Sequence, residues 1–250
     1  MLLEGTHLLQ EVLRQGNLPG EIIATEAWLQ GHPSLVERCS QARWRIVTDE
    51  VLRAALTTVT PDGVACLNPM SALPTVASKL DFLLVLDRIQ DPGNLGTLLR
   101  TALAADVNAV WMGAGVDPLG TKVLRASAGA LLQLPHQRFG PSEAMAISLL
   151  QQELKQLVAL GVQVVGTLVP DPIGVDPPAP YWDLDWKLPT ALVLGTEGAG
   201  LHPDLQACCT HAVTLPHSSR VESLNVASAA VPLLLERRRA TMTATSQQFG

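Results

Sequence analysis

Three polar clusters in this chain stand directly after apolar runs, where a side chain or a backbone turn can meet a ligand. The first is Asp91-Pro92-Gly93-Asn94-Leu95-Gly96-Thr97-Leu98-Leu99-Arg100. It reads as the opening of a helix, with Asn94 in the first turn and Arg100 nearly two turns further, so that both side chains can converge on one ligand. A glycine-rich strand-to-helix turn also suits a phosphate, but the spacing is neither GxGxxG nor GxxxxGK[ST]. By itself an Arg on an amphipathic helix is more often solvated or ion-paired than catalytic. The second cluster is Leu194-Gly195-Thr196-Glu197-Gly198-Ala199-Gly200-Leu201. Its glycines allow a tight turn and close approach of backbone to a ligand, although alone it reads better as a plain turn with a solvated Glu. The third runs from Leu215 through Pro216 and His217 to Ser223-Leu224-Asn225-Val226-Ala227. Ser223 and Asn225 then sit at the start of a helix, in positions that serve a site or merely an N-cap.

The elements that must position these clusters follow from the apolar pattern. Runs at 82–86, 109–112, 162–168, 191–194 and 211–215 show no polar alternation, as expected of strands buried on both faces of a parallel sheet. Helical segments are expected near 95–105, 122–130, 142–160 and 223–236. Such a doubly wound sheet binds ligands at the carboxyl ends of its strands. Ahead of it, Leu8, Leu9, Val12 and Leu13 recur at helical spacing, and short strands at 21–24, 45–48 and 63–67 alternate with helices at 33–40 and 49–57, the latter capped by Thr48. That pattern implies a small α/β sandwich. The expected division is a first domain at 1–70, a linker at 71–79, a larger domain at 80–239 and a disordered polar tail at 240–250. The stretch 170–180, with five prolines, reads as an exposed loop rather than a strand.

Composition narrows the function classes. No stretch approaches the roughly 20 unbroken apolar residues of a membrane span, and the first ten residues have no leader character, so the expected address is the cytoplasm. The four cysteines have no zinc spacing and the six histidines no ligand spacing, with only His217 near a cluster; no metal is expected. The net charge of −6 means that any nucleic-acid contact must be a local patch, for which Arg88, Arg100, Lys122, Arg125, Arg138 and Arg220 are the candidates. Trp182 and Trp186 are expected to pack against a partner chain or stack on a base, and Arg237-Arg238-Arg239 to form a solvated helix end.

Taken in order, NxGxxxR, then LGxEGxGL, then Pro216 followed after six intervening residues by SLNVAxA, the clusters resemble the three motifs of the SpoU (TrmH-like) RNA methyltransferases. The segment Lys122 to Ala130 with Leu134-Pro135 resembles the same family, and 5–67 is similar to its N-terminal L30e-like substrate-binding domain. The resemblance implies an α/β fold whose C-terminal end is threaded into a deep trefoil knot, a topology that general rules of connection would exclude. It implies S-adenosyl-L-methionine (SAM) held by Thr167, Leu194, Gly195, Gly200, Leu215, Ser223 and Leu224. It further implies an active site of Arg100, Asn94, Glu197, Ser223 and Asn225, completed by pairing of two chains as a homodimer, and an RNA substrate, with 23S ribosomal RNA favoured over tRNA.

The implied chemistry is methyl transfer to a ribose 2'-hydroxyl. That hydroxyl is a very weak acid, so attack requires proton removal or stabilisation of the developing oxyanion, with oxygen, carbon and sulfur in line. An ordinary guanidinium stays protonated, so the plainer role for Arg100 is to hold a phosphate and stabilise the oxyanion. Asn94 and Asn225 would orient the ribose and Arg100, and Glu197 would pair with a nearby cation. Two rivals are a non-catalytic RNA-binding module, against which the joint presence of these polar residues counts, and a Rossmann enzyme, against which the missing GxGxxG counts.

Overall fold

A computed structural model describes residues 1–77, 80–168, 178–196 and 198–247. The chain opens with β1 (Leu2–Glu4), α1 (Thr6–Arg14), β2 (Glu21–Thr25), α2 (Glu26–Gly31), α3 (Pro33–Arg38), β3 (Arg43–Val47), α4 (Asp49–Ala55) and β4 (Val64–Leu67). Their four strands form one sheet in the order β1-β4-β2-β3, antiparallel except for the β2–β3 pair. The helical spacing predicted for α1 is real, and Leu8, Leu9, Val12 and Leu13 are all buried. Thr48 caps α4 by accepting from the Val51 N–H. Sequence reasoning missed β1, three residues long, and α2, where the Thr25 hydroxyl accepts from the Trp28 N–H.

The second sheet is built by β5 (Phe82–Leu86), α5 (Pro92–Ala104), β6 (Ala109–Met112), α6 (Thr121–Ala126), β7 (His136–Arg138), α7 (Glu143–Ala159), β8 (Gln163–Thr167), β9 (Ala179–Pro180), β10 (Thr190–Leu194), α8 (Pro203–Gln206), β11 (His211–Thr214) and α9 (Val226–Gln247). Its seven strands run in the order β7-β6-β5-β10-β8-β11-β9, every neighbouring pair parallel. The uninterrupted apolar runs mark strands covered on both sides. In β5, Leu84 and Leu86 face the core that holds Leu98 and Leu99 of α5 and Leu233 and Leu234 of α9. Leu83 and Val85 face the core that holds Leu150 and Leu154 of α7. From β5 the chain winds outward through β6 and β7, and the later strands fill the other side, so strand order reverses between β5 and β10. That is the crevice where a doubly wound sheet offers its ligand site.

Four expectations are corrected. The sequence predicts loop throughout 170–180; most of that stretch lies outside the described residues, but Ala179–Pro180 is the edge strand β9, paired with Val213 and Thr214, where a proline lacking an N–H costs the sheet least. Helix α9 continues to Gln247, into the segment expected to be a disordered tail, and Arg237 just before that segment and Ala240 at its start are buried. Arg237 therefore is no solvated helix end: its guanidinium lies 5.5 Å from the Phe82 ring centre, and burial lowers its pKa. Trp186 is 2% exposed in the chain's own core and donates its indole N–H to the Tyr181 carbonyl at 2.6 Å. Trp182 is 54% exposed. No described helix is long and apolar enough to cross a membrane.

The two sheets meet along α6. Glu4, on β1, is buried, and its carboxylate accepts from the N–H and hydroxyl groups of both Thr57 and Thr58 and from Arg125 at 2.8 Å. These hydrogen bonds outweigh burial and hold its pKa below the usual glutamate range.

Candidate functional site

The carboxyl ends of β8, β10 and β11 surround a cavity of about 320 Å3. It is lined by Thr167 and Leu168 at the end of β8, by Leu194, Gly195, Thr196, Gly198 and Gly200 at and beyond the end of β10, and by Thr214, Leu215, His217, Glu222, Ser223 and Leu224 at and beyond the end of β11. Val226 and Ala229 of α9 close it. All seven residues expected to hold the cofactor are among these: Thr167, Leu194, Gly195, Gly200, Leu215, Ser223 and Leu224. Sequence reasoning did not assign Glu222, Thr214 or Ala229 to the wall, because nothing in their types distinguishes them from ordinary loop and helix residues.

The loop after β10 is shaped by its glycines. Thr196 and Gly200 exchange backbone hydrogen bonds of 3.1 and 3.0 Å, and Gly200 has φ of +65°. A Cβ on Gly195 would lie 2.3 Å from the Gly200 carbonyl, so the loop closes this tightly only on glycine. Its far end is tied to the sheet by Asp87, immediately after β5. That carboxylate is fully buried, accepts from the His202 N–H at 2.8 Å, and is gripped by Arg88 at 2.9 and 3.1 Å.

The polar set expected to do chemistry is divided. Asn225 donates from Nδ2 to Asn94 Oδ1 at 2.9 Å, joining the start of α9 to the start of α5. Its own Oδ1 accepts from the Ala227 and Ser228 N–H groups, so it is also the N-cap of α9. Asp91 caps α5 through the Asn94 N–H at 2.7 Å. Ser223 lines the cavity, whereas Asn94, Asn225 and Arg100 lie outside its wall. Glu197 falls outside the described residues. Arg100 is exposed, and no hydrogen bond or ion pair engages it among the described residues. Six helical positions separate it from Asn94 by about 9 Å along the axis and about 120° around it, which is why the two side chains do not meet within one chain.

Of the six basic residues named for a local patch, three are committed within the fold. Arg88 pairs with Asp87 and Glu143, Arg125 with Glu4, and Arg138 with Asp117. Arg100, Lys122 and Arg220 form no ion pair among the described residues, which leaves them the available phosphate partners.

A wholly parallel sheet with a partly apolar cavity at the carboxyl ends of β8, β10 and β11, beside the reversal of strand order, walled by a glycine loop and a polar turn, has the build of a ligand-binding α/β domain. Residues 81–234 match the model of the SpoU rRNA Methylase family. The chain is 38% identical over 252 residues to an uncharacterized tRNA/rRNA methyltransferase of Synechocystis, covering 98% of this chain and 86% of that one. It is 32% identical over 240 residues to the 23S rRNA (guanosine(2553)-2'-O)-methyltransferase RlmP of Bacillus subtilis, covering 95% and 88%. Among solved structures, the SpoU methyltransferase AviRb of Streptomyces viridochromogenes superposes with a TM-score of 0.74 at 25% identity, covering 98% of this chain and 90% of that one. The chain belongs to the SpoU rRNA methylase family.

Proposed function

We propose that this chain is an RNA ribose 2'-O-methyltransferase that uses SAM and acts on 23S ribosomal RNA. The observation that carries the reading is the gathering of seven residues from three separated motifs around one cavity of about 320 Å3 at the strand ends, a size suited to a nucleoside-containing ligand. The wall fits SAM in kind: leucines for the adenosine faces, hydroxyls of Thr167, Thr214 and Ser223 for its polar edges, and a glycine loop offering backbone groups. When bound, SAM supplies a methyl group on a sulfonium leaving centre. AviRb has been solved in complex with AdoMet. The preference for ribosomal RNA over tRNA rests on the 23S rRNA specificity carried in the name of RlmP.

The chain's own residues then do the following. Arg100 holds a phosphate beside the target ribose and stabilises the oxyanion that forms as the hydroxyl proton leaves. The Asn94–Asn225 pair orients the ribose, and Glu197 meets a neighbouring cation. Arg100 reaches the cavity of a second copy, in a homodimer that covers Val231 and Leu235 on the outward side of α9, each at least 37% exposed. The first 70 residues bind RNA away from the reacting centre, residues 71–79 link them to the catalytic domain at 80–239, and the enzyme works in the cytoplasm. The knotted path belongs to the same reading, supported by the turn 215–224 sharing a cavity with the loop after β10.

The test is transfer of label from SAM to unmodified 23S rRNA and, in parallel, to unmodified tRNA, with the product mapped for 2'-O-methyl groups. Label at one ribose of the ribosomal RNA, absent with Arg100→Ala, is the expected result. A folded, SAM-binding protein that labels neither RNA would overturn it.

A further inference from the structure

The proposed cofactor brings a charge that the cavity must answer. SAM carries a sulfonium and an ammonium against one carboxylate, a single net positive charge. Among the described residues of the wall, Glu222 is the one carboxylate, and no Lys or Arg stands with it; His217 is the other titratable group. No hydrogen bond or ion pair engages Glu222 among the described residues, whereas Glu4, Glu11, Glu21, Glu143 and Glu236 all have cationic partners. His217 does not compete for it. Its Nδ1 lies 2.8 Å from the Leu215 carbonyl, an acceptor only, so Nδ1 carries the proton and the ring is held by its own turn. Glu222 thus stands beside Ser223 and Leu224 in the cavity wall with its charge unspent.

We propose that Glu222 is the countercharge for the sulfonium of SAM, reading the charge at the reacting centre rather than the amino-acid end of the ligand. The inference rests on the SAM-dependent reading above. Its consequence is selective: Glu222 favours charged SAM over the neutral thioether product S-adenosylhomocysteine, and so helps the spent ligand leave.

The experiment is calorimetric binding at low ionic strength, where an exposed charge is least screened. Three ligands share the adenosine and amino-acid ends: SAM, sinefungin with an ammonium near the sulfur position, and S-adenosylhomocysteine with no charge there. Wild-type binding of SAM checks the reading on which the proposal rests. In Glu222→Gln, SAM and sinefungin should each weaken about 5- to 10-fold while S-adenosylhomocysteine holds within about twofold. Glu222→Asp, which keeps the charge, should restore most of the difference. Equal weakening of all three ligands would assign Glu222 to the shared ammonium and overturn the proposal. So would three unchanged affinities, or a loss of discrimination in Glu197→Gln that Glu222→Gln does not show. Melting curves of each variant separate these outcomes from misfolding.

Discussion

Asn225 and Asn94 lie 131 positions apart, yet a 2.9 Å hydrogen bond joins their amides. Asn225 at the same time caps α9 through two backbone N–H groups, leaving its Nδ2 as the only part free to reach α5. One side chain therefore fixes both where the last helix begins and how it is aimed at the first motif.

This dual role separates by substitution. Asn225→Ala should cost about 1 kcal/mol of stability through the lost cap and also slow methyl transfer at least about tenfold. Asn225→Asp keeps an acceptor for the cap, so thermal denaturation should recover while single-turnover methylation stays slow. Equal recovery of both would remove the amide from the site.

Gly195 makes a sharper case. A single methyl group there must displace the Gly200 carbonyl from 2.3 Å, which no side-chain adjustment relieves. Gly195→Ala should weaken SAM binding at least about tenfold and lower stability by about 1–3 kcal/mol, read by calorimetry and urea unfolding.

What the sequence made legible was whatever repeats over enough residues or has a fixed chemical type. The five long apolar strands, α1 and α7 fall into that group, as do the three motifs. The strands β1, β7 and β9 are two or three residues long, too short for any period to register, and their pairing is decided by the neighbours. Residue type alone predicts a surface position for Arg237 and Trp186, and only packing shows that an Arg can lie over Phe82 in the interior. Asp87 carries no signal in the sequence, because one acidic residue after an apolar strand resembles any strand end and its partner His202 lies 115 positions away. The separation of Arg100 from Asn94 was calculable from helix geometry, but the motif spelling drew both to one ligand.

The Glu4 network ties the first sheet to α6 and gives stability a pH signature. Because hydrogen bonds depress the pKa of Glu4 in the folded state, its contribution is complete above the unfolded glutamate pKa and is lost as pH falls through the folded value. Glu4→Gln should therefore be less stable than wild type at neutral pH, by about 1–3 kcal/mol. The difference should shrink as the pH drops below about 4.3, the unperturbed glutamate value. Urea unfolding at pH 7 and at pH 4 checks the sign; a gap that widens in acid would contradict the network.

Arg100 offers the cleanest division between binding and catalysis. It is absent from the wall of its own chain's cavity and forms no ion pair among the described residues, so no described contact of that wall or of the fold depends on it. Arg100→Ala should leave SAM affinity within about twofold and the melting temperature unchanged, while methyl transfer falls at least about 100-fold. Arg100→Lys should not restore the rate, since an ammonium cannot hold a phosphate and an oxyanion in the planar geometry of a guanidinium. Because Arg100 is assigned to the cavity of the second copy, mixing Arg100→Ala with Gly195→Ala chains should recover activity in mixed dimers, in which one cavity is intact and faces an intact arginine. Recovery near one quarter of wild-type specific activity is the random-assembly value, about half the dimers being mixed with one working site of two. No recovery, with dimers confirmed by light scattering, would place Arg100 in the cavity of its own chain.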